Sequence, residues 1–230
     1  LSGHRHLLAT AATNCNVVLW NLERVGHGNH RKAQEAILKE HNRTPNRLCW
    51  SSFEPHRLLS GSQDGTVKLW DIRSTAKSAL SFAARSESVR DVHFDPFQSH
   101  RFVAATENGS VQVWDLRKPA TYQLSFPAHN ALVLAVQWHP RIAGVLASGG
   151  RDKMLKLWKL DGGEAKVTSS IQTIASIGRV AWRPGFDHQI ATVANVLHNR
   201  VHLWDTRRPF MPVASFLGHK DVITGLQWLD

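Results

Sequence analysis

The chain has 230 residues, 42% of them hydrophobic, with 15 glycines besides; that is the apolar share of an ordinary folded domain and excludes a disordered tail. The longest unbroken apolar run, Ala131 to Val136, is far short of the about 20 residues that a membrane-spanning helix needs, so a soluble protein is expected. Lys and Arg number 28 against 18 Asp and Glu, a formal charge of +10. The basic residues fall in scattered groups, Arg31-Lys32, Arg117-Lys118 and Arg207-Arg208, not in the dense stripe with interleaved aromatics of a nucleic-acid binder. Two cysteines, Cys15 and Cys49, supply neither a disulfide framework nor a Cys-rich metal site and suit a reducing compartment.

In chain order, the opening Arg5 to Thr13 reads as a strand, followed by the apolar Val17 to Leu22. The charged stretch Arg31 to Lys39 reads as a long loop with a marginal turn of helix. The next stretch gives four strands: Arg47 to Phe53, Arg57 to Ser62, Thr66 to Ile72 and Ser78 to Ala84, with a tight Asp64-Gly65 turn between the second and third. Asn108-Gly109 repeats that turn, and Asn14-Cys15 and Asp152-Lys153 are looser versions of it. The pattern recurs to a last first-strand at Ile223 to Trp228.

Two aromatic ladders give the period. Trp20, Trp70, Trp114, Trp158 and Trp204 are spaced by 50, 44, 44 and 46 residues, and Trp50, Phe94, Trp138, Trp182 and Trp228 by 44, 44, 44 and 46. Two interleaved ladders in one register mean two aromatic positions in each structural unit. Units of about 44 residues ending in Trp-Asp, at Trp70-Asp71, Trp114-Asp115 and Trp204-Asp205, resemble the WD-repeat β-propeller family. The expected fold is therefore all-β, a single propeller domain over residues 1–230. It is a partial ring of about four complete four-stranded blades with incomplete terminal blades, part of a longer chain that a closed ring would require.

The resemblance implies a buried set of His, Ser, Asp and Trp in each blade. His41, Ser60, Asp64 and Trp70 carry it, and His129, Ser148, Asp152 and Trp158 repeat it at the same spacings of 19, 4 and 6 residues. At those positions the third unit has Arg85, Ala104 and Asn108 and the fifth has Thr173, Ala194 and His198, so those two blades are expected to lack the tie. A Ser, His and Asp together could suggest a nucleophilic triad. Ser60 and Ser148 lie inside strands, however, and a duplicated set is a packing device and not an active site. No Gly-rich phosphate loop opens a helix, no carboxylate pair is set for glycoside hydrolysis, and no metal-ligand spacing occurs among the 14 histidines. Neither enzymatic activity nor a cofactor is expected.

Segments outside the generic repeat, Ser86 to Val92, Gly149 to Met154, Gln172 to Ser176, Arg179 to Pro184 and Trp204 to Pro212, are similar to the propeller of a WD-repeat subunit of the SEA/GATOR complex. That resemblance implies a non-catalytic scaffold in an assembly that relays amino-acid sufficiency to the target-of-rapamycin kinase, cytoplasmic and peripheral at the lysosomal or vacuolar membrane. It implies other subunits as partners, further β-propellers among them, with no small-molecule substrate and only indirect membrane association. Relatives of this kind also carry a helical solenoid and a RING-type zinc region, which these residues do not contain.

Partner contacts are expected on the loops joining blades and on the turns between second and third strands, at Arg43, Asn46, Arg85, Glu87, Asn130, Arg151, Lys153 and Lys220. An acidic partner surface suits them. The alternative is a substrate-receptor propeller of a cullin-type ubiquitin ligase, because Trp-Asp-x-Arg occurs three times, with Arg73, Arg117 and Arg207 as the adaptor-binding residues. A lesser alternative, a basic nucleic-acid-binding propeller, would show a steep fall of affinity with salt.

Overall fold

A computed structural model describes residues 6–24, 33–74, 77–194 and 199–229. Apart from one 3-10 turn, every regular element among them is a β-strand. The first sheet has three strands, β1 (Leu7–Ala11), β2 (Val17–Asn21) and β3 (Gln34–Leu38). Four four-stranded sheets follow: β4 (Pro45–Trp50) to β7 (Leu80–Ala83) with β5 (Arg57–Ser62) and β6 (Thr66–Asp71) between, then β8 (Val89–Phe94), β9 (Arg101–Thr106), β10 (Ser110–Asp115) and β11 (Leu124–Pro127). The last two are β12 (Val133–Trp138), β13 (Val145–Gly150), β14 (Met154–Asp161) and β15 (Glu164–Gln172), and β16 (Ile177–Trp182), β17 (Gln189–Ala194), β18 (Val201–Asp205) and β19 (Ala214–Phe216). In every sheet the strands lie side by side in chain order, so each is a simple up-and-down meander. Four complete sheets and an incomplete first one are what the aromatic period predicts.

Two expectations are corrected. Of the stretch Arg31 to Lys39, residues 31–32 lie outside the described residues, and Gln34–Leu38 is strand β3, not a loop with a turn of helix. Leu38 pairs with Val17 and is buried beneath Trp70 and Leu58, which a loop would not achieve. A bulge opposite Leu19 and Trp20 shifts the alternation and leaves the polar Gln34 and Glu35 on the outer, exposed side. Ile223 to Trp228 forms no strand. A strand needs a ladder, and this segment is held to β16 by side chains: Arg179 Nε donates to Thr224 O at 3.1 Å, and Trp228 Nε1 to Ala181 O at 3.2 Å.

The chain divides into two compact units, Leu1–Ala104 with Trp114–Tyr122, and Ala105–Val113 with Gln123–Asp230. In the first, Phe82 on the outermost strand β7 meets Phe102 and Trp114 edge-on, with centroids 4.9 and 5.5 Å away, and Trp114 stacks on Phe102. In the second, Phe126 on β11 lies 4.7 Å from Trp158, and Ile171 on β15 shares a buried cluster with Trp204. The outer strands β7, β11 and β15 thus each close over the tryptophan of the sheet that follows, which is why the apolar positions recur with the period of the repeat.

The loop from first to second strand is fastened by the residue just after the first strand. Ser51 Oγ accepts the Glu54 N–H, and Asp95 Oδ1 accepts the Phe97 N–H at 2.8 Å while its other oxygen takes Arg101 Nε at 2.6 Å. His139 Nδ1 accepts the N–H groups of Arg141 and Ile142 at 3.0 and 2.9 Å.

Candidate functional site

In the first unit, Trp70 Nε1 donates to Ser60 Oγ at 2.8 Å, Ser60 Oγ lies 2.7 Å from His41 Nε2, and His41 Nδ1 lies 2.8 Å from Asp64 Oδ2. With the proton on His41 Nδ1, the serine accepts from the tryptophan and donates to the histidine, and every polar atom in the chain is satisfied. The second unit repeats it through Trp158, Ser148, His129 and Asp152 at 2.9, 2.7 and 2.8 Å. Both serines are fully buried, with the tryptophan donor on the oxygen, so neither is placed to attack a substrate. Burial works to raise the Asp64 carboxyl, but hydrogen bonds from His41, Thr66 and the Asn42 N–H outweigh it and hold the group well below the usual carboxylate range.

The tie is more widespread than the fixed spacing indicates. Trp20 Nε1 donates to Thr10 Oγ1 at 2.8 Å, and Trp204 Nε1 donates to Thr192 Oγ1 at 2.9 Å. The expectation that Ala194 occupies the tie position is therefore wrong, and the fifth sheet does not lack the bond. Strand register identifies the right residue: Thr10, Ser60, Ser148 and Thr192 each pair with the residue two before the tryptophan, namely Val18, Lys68, Lys156 and His202. His198 lies outside the described residues. Thr173, at the histidine position, uses its hydroxyl on Lys153 O and Ala175 O. In the third sheet Asn108 holds its own turn, its Oδ1 accepting from Thr106 Oγ1 at 2.6 Å and from the Ser110 N–H at 3.1 Å.

Two kinds of basic side chain differ in how their charge is used. Arg73, Arg117 and Arg207 fold back as forks on Asp71, Asp115 and Asp205, with Nε at 2.9, 2.9 and 3.0 Å from the carboxylate. The arginine's hydrogen bonds hold both Asp71 and Asp115 down to about 2. An acidic adaptor segment would have to displace an internal carboxylate from each fork, so this geometry disfavours the ligase-receptor reading. By contrast Arg43 and Arg85 in the first unit, and Arg151, Lys153 and Lys220 in the second, are exposed, and among the described residues their charged ends have no hydrogen-bond or ion-pair partner. Glu87 and Asn130 are exposed as well. Asn46 is corrected: half-buried, it donates to Val89 O at 2.7 Å and accepts from Gln63 Nε2 at 3.2 Å, so it braces the loops and is not an open contact.

Acid should loosen the fold through its histidines. Desolvation lowers both His129 and His139, and the coulombic pull of Asp152 on the one and the hydrogen bond to Asp187 O on the other do not reverse it. Nδ1 of His139 accepts two N–H groups and must stay unprotonated. The folded state thus binds fewer protons than the unfolded one, so this stability is full above about pH 6.5 and is lost as pH falls below it. Thermal melts at pH 7.5 and 5.5 should show a drop that shrinks in His139→Asn, whose amide oxygen can accept the same N–H groups; an unchanged drop would refute the assignment.

Among the described residues no group of three or more His, Cys, Asp or Glu is placed to hold a metal, and no helix is long and apolar enough to cross a membrane. The family model for the MIOS WD40 repeat matches residues 35–194. The chain is 47% identical over 223 residues to the GATOR2 complex protein WDR24 of Homo sapiens, covering 97% of this chain and 28% of that protein. It is 42% identical over 229 residues to the protein of the same name in Dictyostelium discoideum, covering 99% of this chain and 22% of that protein. The chain thus spans less than a third of the length of these relatives. Among solved structures, a chain of the crystal structure of the mitotic checkpoint complex superposes with a TM-score of 0.80 at 19% identity, covering 95% of this chain and 64% of that one, which shows the WD40 propeller fold alone.

Proposed function

The chain belongs to the MIOS WD40-repeat family, and we propose that it works as the non-catalytic propeller of a GATOR2-type complex subunit, holding other subunits in place. In that reading the assembly relays amino-acid sufficiency to the target-of-rapamycin kinase, and the chain reaches a lysosomal or vacuolar surface only through its partners, further propellers among them. The carrying observation is the division of the basic side chains: Arg73, Arg117 and Arg207 are spent on internal carboxylates, while Arg43, Arg151 and Lys153 present charge on loops and turns that is uncompensated among the described residues. Loops fixed by a rigid scaffold are where binding residues concentrate. Exposed charge of this kind sets encounter rate and specificity toward an acidic surface more than raw affinity.

Reversal of Arg43, Arg151 and Lys153 together to Glu, in the full-length protein expressed in cells, should leave the melting temperature nearly unchanged. It should also lower the yield of co-purified complex subunits severalfold. Arg117→Ala should leave that yield intact. Full recovery of the complex with the triple reversal would overturn the assignment of these loops, and loss with Arg117→Ala would return the Trp-Asp-x-Arg arginines to consideration.

A further inference from the structure

The fourth sheet departs from its neighbours at one place. In three sheets the third strand ends at Asp71, Asp115 or Asp205, where the arginine two residues on clamps the carboxylate and turns the chain. The fourth sheet has Lys159 at the aspartate position and Asp161 at the arginine position, reversing both charges, and the clamp cannot form. Strand β14 instead runs on through Lys159, Leu160 and Asp161, paired with Lys166, Ala165 and Glu164. A two-residue Gly162-Gly163 turn closes it, with φ of 57° and 88°, the left-handed pair of a type I′ hairpin. A Cβ built at either glycine would meet nothing within 4 Å, so the tip of this hairpin stands in open space.

The outcome is an outer strand, β15, of 9 residues, where β3, β7, β11 and β19 have 5, 4, 4 and 3. Short outer strands leave little unpaired edge; a long one presents a row of free N–H and C=O groups. Two anchors fix their direction. The Thr173 N–H donates to Lys153 O at 2.8 Å, and the Leu160 N–H donates to Gly144 O at 2.8 Å on the other flank of β14. The alternation of an antiparallel ladder then turns the backbone groups of Ala165, Val167, Ser170 and Gln172 away from β14. Thr168 is the extra residue of a bulge opposite Leu157 and Trp158.

We propose that the free edge of β15 receives an extended segment of another polypeptide, which adds a fifth strand to this sheet. The chemistry of the edge describes that segment. Val167, Thr168, Ser169, Ser170 and Ile171 carry no charge and favour a β-forming partner. Exposed Lys166 at one end of the run lies 3.5 Å from Glu164 of the same strand, whereas exposed Arg151 and Lys153 stand at the other end, so the segment carries a carboxylate toward the Arg151 and Lys153 end. A second copy of this chain fits poorly, because its Glu164 is already paired with its own Lys166 at 3.5 Å and antiparallel self-pairing would bring no free carboxylate to Arg151 and Lys153. The contact shares Arg151 and Lys153 with the loops named above but is made by the backbone edge of β15, so exchange protection of that edge and co-purification with the triple reversal can fail independently.

Hydrogen–deuterium exchange of the full-length protein, alone and in its assembled complex, tests the edge directly. The amides of Val167, Ser170 and Gln172 should exchange freely in the isolated protein and at least tenfold more slowly in the complex. Equal rates in the two states would overturn the proposal, and so would protection that grows with the concentration of the isolated protein, since that would mark self-pairing. Ser170→Pro removes an outward N–H and spares the ladder to β14. It should abolish the protection and release a subunit at an unchanged melting temperature, whereas an intact and still protected complex would count decisively against it.

Discussion

Trp70→Ala and Trp158→Ala should each lower stability by about 3–5 kcal/mol, the usual loss for truncating a buried Trp. Both side chains are almost wholly buried, and each also serves as the donor that satisfies a serine at the centre of a polar chain. Truncation therefore opens a cavity and leaves Ser60 or Ser148 with an unused lone pair in a dry site. Ser60→Ala isolates the polar share, because it strips the partner from Trp70 Nε1 and His41 Nε2 without opening much volume, and should cost roughly 1–3 kcal/mol. Urea melts of Trp70→Ala, Ser60→Ala and the double variant check both figures: because the serine tie needs the tryptophan, the double variant should cost less than the sum of the singles. Strict additivity would mean that the hydrogen-bond chain contributes nothing beyond packing.

What could be read in advance was whatever the repeat holds at fixed spacing. The tryptophan ladders gave the sheets, and the paired 19, 4 and 6 spacings gave both buried polar chains, since each depends on strand lengths that do not vary between those two sheets. Thr192 escaped because its turn is two residues longer: it stands 12 residues before Trp204, where Ser60 and Ser148 stand 10 before theirs. Only strand register, a property of the folded ladder, restores the equivalence. Thr10 was legible in principle, at the regular 10-residue spacing from Trp20. Strand β3 was obscured by its bulge, which breaks the alternation that marks a strand. The internal use of Arg73, Arg117 and Arg207 is a matter of side-chain conformation, to which composition and spacing are blind. The reversed charges at Lys159 and Asp161 stand in the sequence, but their effect, a strand that does not stop, becomes plain only when the clamp in the other sheets is seen.

Opposite signs are expected at equivalent positions of the turns between second and third strands. Gly65 and Lys153 both follow the aspartate of the turn, and both have positive φ, 78° and 65°. A Cβ at Gly65 would collide with the Ser86 carbonyl oxygen, a backbone atom that cannot swing aside. Gly65→Ala therefore combines about 1–2 kcal/mol of left-handed backbone strain with about 1–3 kcal/mol of overpacking. Lys153 already bears its Cβ, so the space exists there and only the backbone strain remains. Lys153→Gly removes that strain while keeping the carbonyl that accepts both the N–H and the hydroxyl of Thr173. Greater freedom of glycine in the unfolded chain offsets part of the gain, leaving a net stabilisation of up to about 1 kcal/mol. Thermal melts of the two variants against the parent should move in opposite directions. A fall for Lys153→Gly would show that the lysine side chain supports the turn, and would also remove it from the set of residues free to meet a partner.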